Sequence, residues 1–463
     1  MSIDDRSPDF DPPLPTLQES LEEPAKNQGD FIEKVRQQFE FEPYPYIPIE
    51  RSPQAEHLLL YSHNWITPYY LQYRQIPRVE RPRILDVGCG SGYTTLCLAY
   101  ANPGAEIVAI DLSPKSVEMA QQRLQYHGFS EVEFHALAIE NLPQLGLSFD
   151  YINCDEVLYL LQDPVQGLAS MQSVLKPQGI VRANLHNALQ RSGYFRIQNI
   201  LKTMGFLKQN PQEEEMLDAV KFIQSLDNAV ELKGRVFPSF LHSPNKKEFI
   251  LANYLLQGDK GYSVPECFEI LEKAGLQFIN MVNWREWNIL SLFQSSPPDR
   301  IIKYLATLTI EQYLHFYEQL NPVHRLLDFW ACSRGAAPPP KLIRSWTQRD
   351  WEVAKVQLHP QLNRPEVKRS LLDSLKGMQP FPLTPHLPLS KEHIILDCLT
   401  AACLLPLFDG EQSMWTIVQR WQQLNILDLV TLELNSAQKA FESVQQILSR
   451  LEHSGYLLLT TAE

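Results

Sequence analysis

Short aliphatic runs alternate with longer amphipathic stretches through the first two-thirds of the chain. The runs fall at Arg83–Val87, Glu106–Ile110, Val132–His135, Tyr151–Cys154 and Ile180–Asn184, then at Gln277–Val282 and Arg325–Cys332. Each is too short for an ordinary helix, and most are too continuously apolar for a strand with one wet face, so they predict strands buried on both sides. The stretches between them carry helical spacing. After the second run, Ser113 stands at an N-cap with Pro114 in the first turn, Val117, Ala120 and Leu124 share one face, and Gly128 follows the end. Strand and helix in alternation predict an α/β fold: a Rossmann-like doubly wound sheet of parallel strands with helices on both faces.

The flanking segments break this rhythm. Residues 1–30 are rich in acids and prolines and poor in aliphatic side chains, which predicts a disordered tail. Residues 31–335 form the folded block. Within it, residues 187–261 are far too long for a connection and contain Glu213-Glu-Glu-Met-Leu-Asp-Ala-Val220, which predicts a helical insert at the edge of the sheet. Gly335-Ala-Ala-Pro-Pro-Pro340, with prolines at 360, 365, 380, 382, 385 and 388, reads as an extended Pro-rich linker over 336–390. Helical patterns at Ile394–Leu407, Met414–Gln423 and Ala437–Ser454, an Asp409-Gly410 turn and a closing strand Gly455–Thr460 predict a small winged-helix-like domain over 391–463.

One stretch carries specific chemistry. Ile84-Leu-Asp-Val-Gly-Cys-Gly-Ser-Gly92 is an apolar strand running into a loop with glycines at 88, 90 and 92. A doubly wound sheet binds ligands at the carboxyl end of its first strand, where glycines allow a tight turn and close backbone approach. One βα unit later the second run ends in Asp111, placed to accept hydrogen bonds from two ribose hydroxyls. A dinucleotide fingerprint needs a third Gly or Ala five residues after the first, and that position is Tyr93. Asp86, two residues before the glycines, would repel a pyrophosphate and favour a cation.

At these residues the chain resembles the class I methyltransferases, whose first motif is an acid followed by Gly-x-Gly-x-Gly and whose second is an acid closing the next strand. Ala138-Ile-Glu-Asn-Leu-Pro143, Phe149-Asp-Tyr-Ile-Asn-Cys-Asp-Glu156 and Val174-Leu-Lys-Pro-Gln-Gly179 follow in the family's order. The resemblance makes 31–335 the methyltransferase domain and implies S-adenosyl-L-methionine as cofactor. Asp86, Gly88, Cys89, Gly90 and Gly92 are then expected at its methionine end, Asp111 and Leu112 at the ribose, backbone of Ala138 and Ile139 at the adenine, and Asn153 at the end of the fourth strand. Many relatives carry an Asp where this chain has Ala138.

The implied reaction delivers a methyl group to an oxygen or nitrogen of a small molecule or protein side chain, for which a protein supplies chiefly alignment and sometimes a base. His186, just beyond the fifth run, is the candidate base. Upstream, Phe39-Glu-Phe-Glu-Pro-Tyr-Pro-Tyr46 resembles a Pro-Tyr-Pro element of a bacterial methyltransferase group. It is expected as a clasp over the cofactor mouth, with Tyr44 as a second candidate catalytic residue and Tyr46 beside it. Lys246-Lys-Glu-Phe-Ile-Leu-Ala-Asn253, Tyr262-Ser-Val-Pro-Glu266 and Leu271-Glu-Lys-Ala-Gly-Leu276 resemble that group's regulatory region, present also in bacterial protein-lysine methyltransferases. Asn153-Cys-Asp-Glu156 stands where DNA amino methylases carry Asn/Asp-Pro-Pro-Tyr, which disfavours DNA bases.

A net charge of −13 offers no basic field, so nucleic acid is not an expected partner. The same charge pattern leaves protein contact or self-association as the expected use of the C-terminal domain. Seven scattered cysteines form neither a disulfide framework nor a zinc pattern, and no metal is expected. The start has no basic n-region and no apolar run of spanning length, so a cytoplasmic location without membrane contact is expected. A catalytically silent cofactor-binding scaffold or sensor acting through the C-terminal domain remains the alternative.

Overall fold

The seven apolar runs all become strands of one sheet in the computed structural model of the chain, which describes residues 28–41, 44–336, 341–389, 393–427 and 432–461. In chain order they are β1 Arg83–Val87, β2 Glu106–Asp111, β3 Glu133–Ala136, β4 Phe149–Cys154 and β5 Leu175–Asn187, then β7 Leu276–Met281 and β8 Leu326–Ser333, with a two-residue β6 at Gly261–Tyr262. The order across the sheet is β3-β2-β1-β4-β5-β8-β7, with β6 pairing β5 to one side. β8 runs antiparallel to both its neighbours, so the sheet is mixed rather than wholly parallel. Apolar periodicity specifies that a run is a strand. It carries no information about direction, which the connections decide.

Successive residues of a strand face opposite sides. Ile84, Ile107, Tyr151, Ile180 and Trp330 meet Trp65, Tyr69 and Tyr73 on one face, while Leu85, Val108, Ile152 and Val181 join the larger core on the other. Burial on both sides explains why the runs read as continuously apolar. The helix after β2 spans Pro114–Tyr126, and the Ser113 hydroxyl accepts from the Ser116 N–H as its cap. Residues 187–261 form four helices, Ser192–Thr203, Glu213–Ser225, Glu231–His242 and Lys246–Asn253. They bury Ile197, Leu201, Met216, Ile223, Val236, Phe240 and Tyr254 among themselves, a satellite core with its own packing.

The linker expectation fails. Residues 354–358 form a strand, 365–376 a helix, and both belong to the C-terminal core with Trp351, Val367, Leu371 and Phe381. Pro365 sits at the first helical turn, where its missing N–H has no intrahelical partner to lose. The strand Ala354–Leu358 is the centre of a three-stranded antiparallel sheet, flanked by Gln412–Ser413 and by the closing strand Leu457–Thr461. The helices Cys398–Leu404, Met414–Leu424 and Ala437–His453 pack against that sheet, so the C-terminal unit begins some fifty residues before the expected boundary. The expected tail lies outside the described residues except for 28–30, which begin the helix Gln28–Phe41. Within the linker range, 337–340 and 390 also lie outside them. No helix of the described residues is long and apolar enough to cross a membrane.

The C-terminal unit docks on two helices, His57–Ser62 and Ile66–Tyr73, that precede β1. Tyr61 is part of the C-terminal core, Tyr70 donates to the Leu459 carbonyl at 3.2 Å, and Arg74 pairs with Glu452 at 2.5 Å. His359, wholly buried, accepts from the Gln361 N–H at Nδ1, so its proton sits on Nε2, 2.9 Å from the Thr67 hydroxyl. Burial, with Arg285 nearby, holds its pKa down at about 3. An unfolded histidine takes up its proton near pH 6.5, so between that value and about 3 the unfolded state binds more protons and stability falls with falling pH. Melting temperature should therefore hold steady above pH 7 and fall below 6.5, with His359 contributing at most about 1.4 kcal/mol per pH unit. His359→Asn, which keeps an acceptor for Gln361, should flatten that slope. Parallel melting curves for the two proteins from pH 7.5 to 5 would deny His359 this role.

Candidate active site

The loop at the carboxyl end of β1 is shaped by crowding. Gly88, Gly90 and Gly92 all have positive φ, and a Cβ on each would meet a different neighbour. At Gly88 it would strike the Val157 side chain, at Gly90 the Tyr44 carbonyl oxygen at 2.2 Å, and at Gly92 the Ala120 backbone at 2.6 Å. Every N–H of the loop is already used. Gly88 and Cys89 donate to the Ile110 carbonyl, Gly90 to the Asp111 carboxylate at 2.9 Å, Ser91 to the Tyr44 carbonyl and Gly92 to the Cys89 carbonyl. A pyrophosphate site depends on amides aimed at the ligand. This loop aims none, which removes the dinucleotide reading on geometry as well as on spacing.

A cleft of about 320 Å³ opens beyond the loop. Gly88, Cys89, Gly90, Asp111, Leu112, Ala138 and Ile139 line it as expected, and so does Tyr44. The Asp111 carboxylate accepts from Gly90 on one oxygen and from the Ser113 N–H at 2.8 Å on the other, which leaves acceptor capacity on both. Burial raises its pKa, against the backbone bonds that lower it. Leu112, Leu137, Ile139, Leu160 and Leu161 give the cleft an apolar slot beside Asp111. At the start of the helix Tyr93–Ala101, Tyr93 and Thr94 also face the cleft.

Four expected site residues lie elsewhere. Asp86 and Asn153 point into the sheet's helix-covered face, where Asp86 accepts from Thr95 at 2.6 Å and from Asn153 at 2.9 Å, and Asn153 accepts from Arg182 at 3.3 Å. The three stand at matching register on β1, β4 and β5, a buried polar row under the cleft rather than in it. Burial pushes the Asp86 pKa up to about 6. Gly92 serves the contact between two helices. His186 is 1% exposed, stacked on Tyr159 at 3.5 Å, with Nδ1 2.6 Å from the Asp259 carboxylate. Because Asp259 takes the Nδ1 proton's bond, Nε2 is the lone-pair nitrogen, and Arg325 donates to it at 3.1 Å. Burial lowers the His186 pKa, and neither ring nitrogen is open to an acceptor. Tyr46 is 67% exposed and stands outside the lining of the cleft.

Residues outside the expected cofactor set complete the cleft. Leu59 and His63, from the helices that carry the C-terminal unit, form part of its wall. Asp155 and Glu156 follow β4. Asp155 accepts from Asn184 at 2.5 Å and stands 3.7 Å from both His63 and Arg182. Burial opposes its charge, yet Arg182 and the His63 hydrogen bond hold its carboxyl well below the usual range. A second cavity of about 450 Å³ lies against the cleft. Tyr159, Tyr194 and Phe249 form its aromatic wall, with Glu156, Glu248, Arg191 and Arg325 around them. Its far side is the helical insert. The clasp sits between the two: the Ser91 hydroxyl donates to the Pro45 carbonyl at 2.7 Å, and Arg123 donates to the carbonyls of Ser91 and Pro48 at 2.8 Å.

A family model described as a methyltransferase domain matches residues 80–232, which hold this loop, Asp111 and Glu156. Over those residues the chain is a methyltransferase domain of the class I, S-adenosylmethionine-dependent kind. An uncharacterized protein of Synechococcus sp. is 28% identical over 313 residues, 66% of this methyltransferase and 72% of that protein. The ubiquinone biosynthesis O-methyltransferase of Paracidovorax citrulli is 30% identical over 132 residues, 28% of this chain and 55% of that enzyme. Among solved structures, PKMT2 from Rickettsia typhi superposes with a TM-score of 0.57 at 18% identity, covering 90% of this chain and 77% of that one. At such identity the likeness is one of fold.

The loop geometry of the methyltransferase yields a test. Gly90→Ala adds a Cβ where the Tyr44 carbonyl stands, beyond the cost of its positive φ, whereas Gly128 has φ of +83 and nothing within 4 Å. Urea unfolding should show Gly128→Ala losing about 1 kcal/mol or somewhat more and Gly90→Ala losing clearly more than that. Protease cleavage near residue 45 should accelerate in Gly90→Ala alone. Equal losses in the two variants would mean that the clasp does not press on the loop.

Proposed function

We propose that the methyltransferase binds S-adenosylmethionine in the cleft and receives its methyl acceptor, an oxygen or nitrogen of a small molecule or protein side chain, in the second cavity. One observation carries the reading: the two cavities share just two lining residues, Tyr44 and Glu156. A donor on one side and an acceptor on the other then meet at a single place, and alignment is most of what methyl transfer asks of a protein.

The residues of the cleft suit the cofactor. Asp111 has acceptor capacity on both oxygens for two ribose hydroxyls, and the leucines beside it offer an apolar slot for adenine. The loop's N–H groups are all spent inward, which disfavours an anion there, while the first turn of the helix Tyr93–Ala101 favours a carboxylate. The bound cofactor supplies an electrophilic methyl on a sulfonium. Tyr44 stands at the junction, and burial raises its pKa, so the phenol stays protonated.

Calorimetric titration with S-adenosylhomocysteine tests the cofactor part. Binding is expected for the native protein, ten- to a hundredfold weaker in Asp111→Ala, about the loss of one charge-assisted hydrogen bond pair. Folded, cofactor-free protein that binds neither this ligand nor S-adenosylmethionine would overturn the reading. An unchanged affinity in Asp111→Ala would remove Asp111 from the ribose.

A further inference from the structure

Two carboxylates follow β4, and their surroundings separate them. Asp155, in the cleft wall, is engaged with Asn184, Arg182 and His63. Glu156 stands at the junction of the two cavities and is built there at a cost, because its φ is +61, a conformation that is uncommon for a side chain of its kind. Three contacts hold it. Its N–H donates to the Asn184 side-chain oxygen at 2.9 Å, its Oε2 accepts from the Tyr159 hydroxyl at 2.7 Å and from Arg325 at 3.0 Å, and its Oε1 accepts from the other Arg325 nitrogen. A carboxylate has room for about two donors on each oxygen. Oε2 is full, and Oε1 keeps one acceptor position among the described residues.

Arg325 is itself fixed. It donates to His186 Nε2, and His186 is locked through Nδ1 on Asp259, whose other oxygen takes Arg191 at 2.9 Å and Gln198 at 2.8 Å from the insert. A chain of charge-assisted bonds thus runs from the insert to one carboxylate oxygen between the two cavities. Strained backbone that its surroundings over-determine is a mark of a working residue.

Resting on the proposed placement of donor and acceptor, we infer that Glu156 receives the N–H or O–H of the methyl acceptor on Oε1, with Arg325 as the positioning residue that turns that oxygen toward the junction. The acceptor's lone pair forms the new bond to the methyl carbon as the carbon–sulfur bond breaks and its electron pair stays on sulfur. The acceptor's proton passes to Glu156 and from there to solvent. This assigns the acceptor a class: a nitrogen or oxygen that still carries hydrogen. The histidine expected as a base, which lies near the end of β5, instead orders the arginine that orders the carboxylate.

The test needs no acceptor. Sinefungin is the analogue of S-adenosylmethionine in which a carbon bearing an amine replaces the methylated sulfur, so its ammonium occupies the path of the methyl, whereas S-adenosylhomocysteine has nothing there. Calorimetry on the full chain should show sinefungin binding about ten- to a hundredfold tighter than S-adenosylhomocysteine. Glu156→Gln should abolish that preference and leave S-adenosylhomocysteine affinity within about twofold, which also certifies the fold. Arg325→Lys should keep part of the preference and Arg325→Ala little of it. A preference retained in Glu156→Gln overturns the inference while the cofactor reading stands, and so does equal binding of the two ligands to native protein. Failure of both ligands to bind overturns the cofactor reading first.

Discussion

Everything at this site depends on the absence of three Cβ atoms. The chain turns from β1 into its helix with the Tyr44 carbonyl on one side, Val157 on another and Ala120 on a third, each close enough that a methyl group would collide. Crowding of this kind links distant parts of the sequence: the clasp before β1, the turn after β4 and the helix after β2 are all pressed on five residues. The amides of those residues bond inward, to Ile110, Asp111, Tyr44 and Cys89, so the loop is held by its own hydrogen bonds and aims no N–H into the cleft. A loop whose amides are spent in this way has none to offer a pyrophosphate.

Much of this was legible in the sequence because it is encoded locally. Seven strands announce themselves as short runs, the central ones apolar and buried on both faces, and Ser113, Pro114 and Gly128 mark a helix at both ends. The glycine loop and Asp111 read directly as ligand-binding, since their chemistry lies within a single βα unit. What fails is what depends on the third dimension. Asp86 and Asn153 belong to the right motifs but face the wrong way, because strand alternation sends them under the cleft into a row with Arg182. His186 stands at the carboxyl end of β5, and only the folded chain reveals that Asp259 and Arg325 occupy both of its nitrogens.

The prolines between 360 and 388 misled for a different reason. Composition treats proline as a breaker wherever it falls, yet a proline at the first turn of a helix breaks nothing. Trp351, Val356, Val367 and Leu371 among them supply the apolar content that a linker lacks. Leu59 and His63 left no signal at all. They line the cleft from helices that precede the sheet, and no local pattern distinguishes them from ordinary packing residues.

The docking of the C-terminal unit on those same helices changes what the far end of the chain is. Gly455 lies so close to Tyr61 and Arg285 that a side chain there would displace both, and Tyr61 is two positions from His63 in the cleft wall. A single-letter change more than three hundred residues from the glycine loop can therefore masquerade in a genetic screen as an active-site lesion. Suppressors of such a change would be sought among residues 57–73, inside the catalytic half, rather than beside the lesion in the sequence.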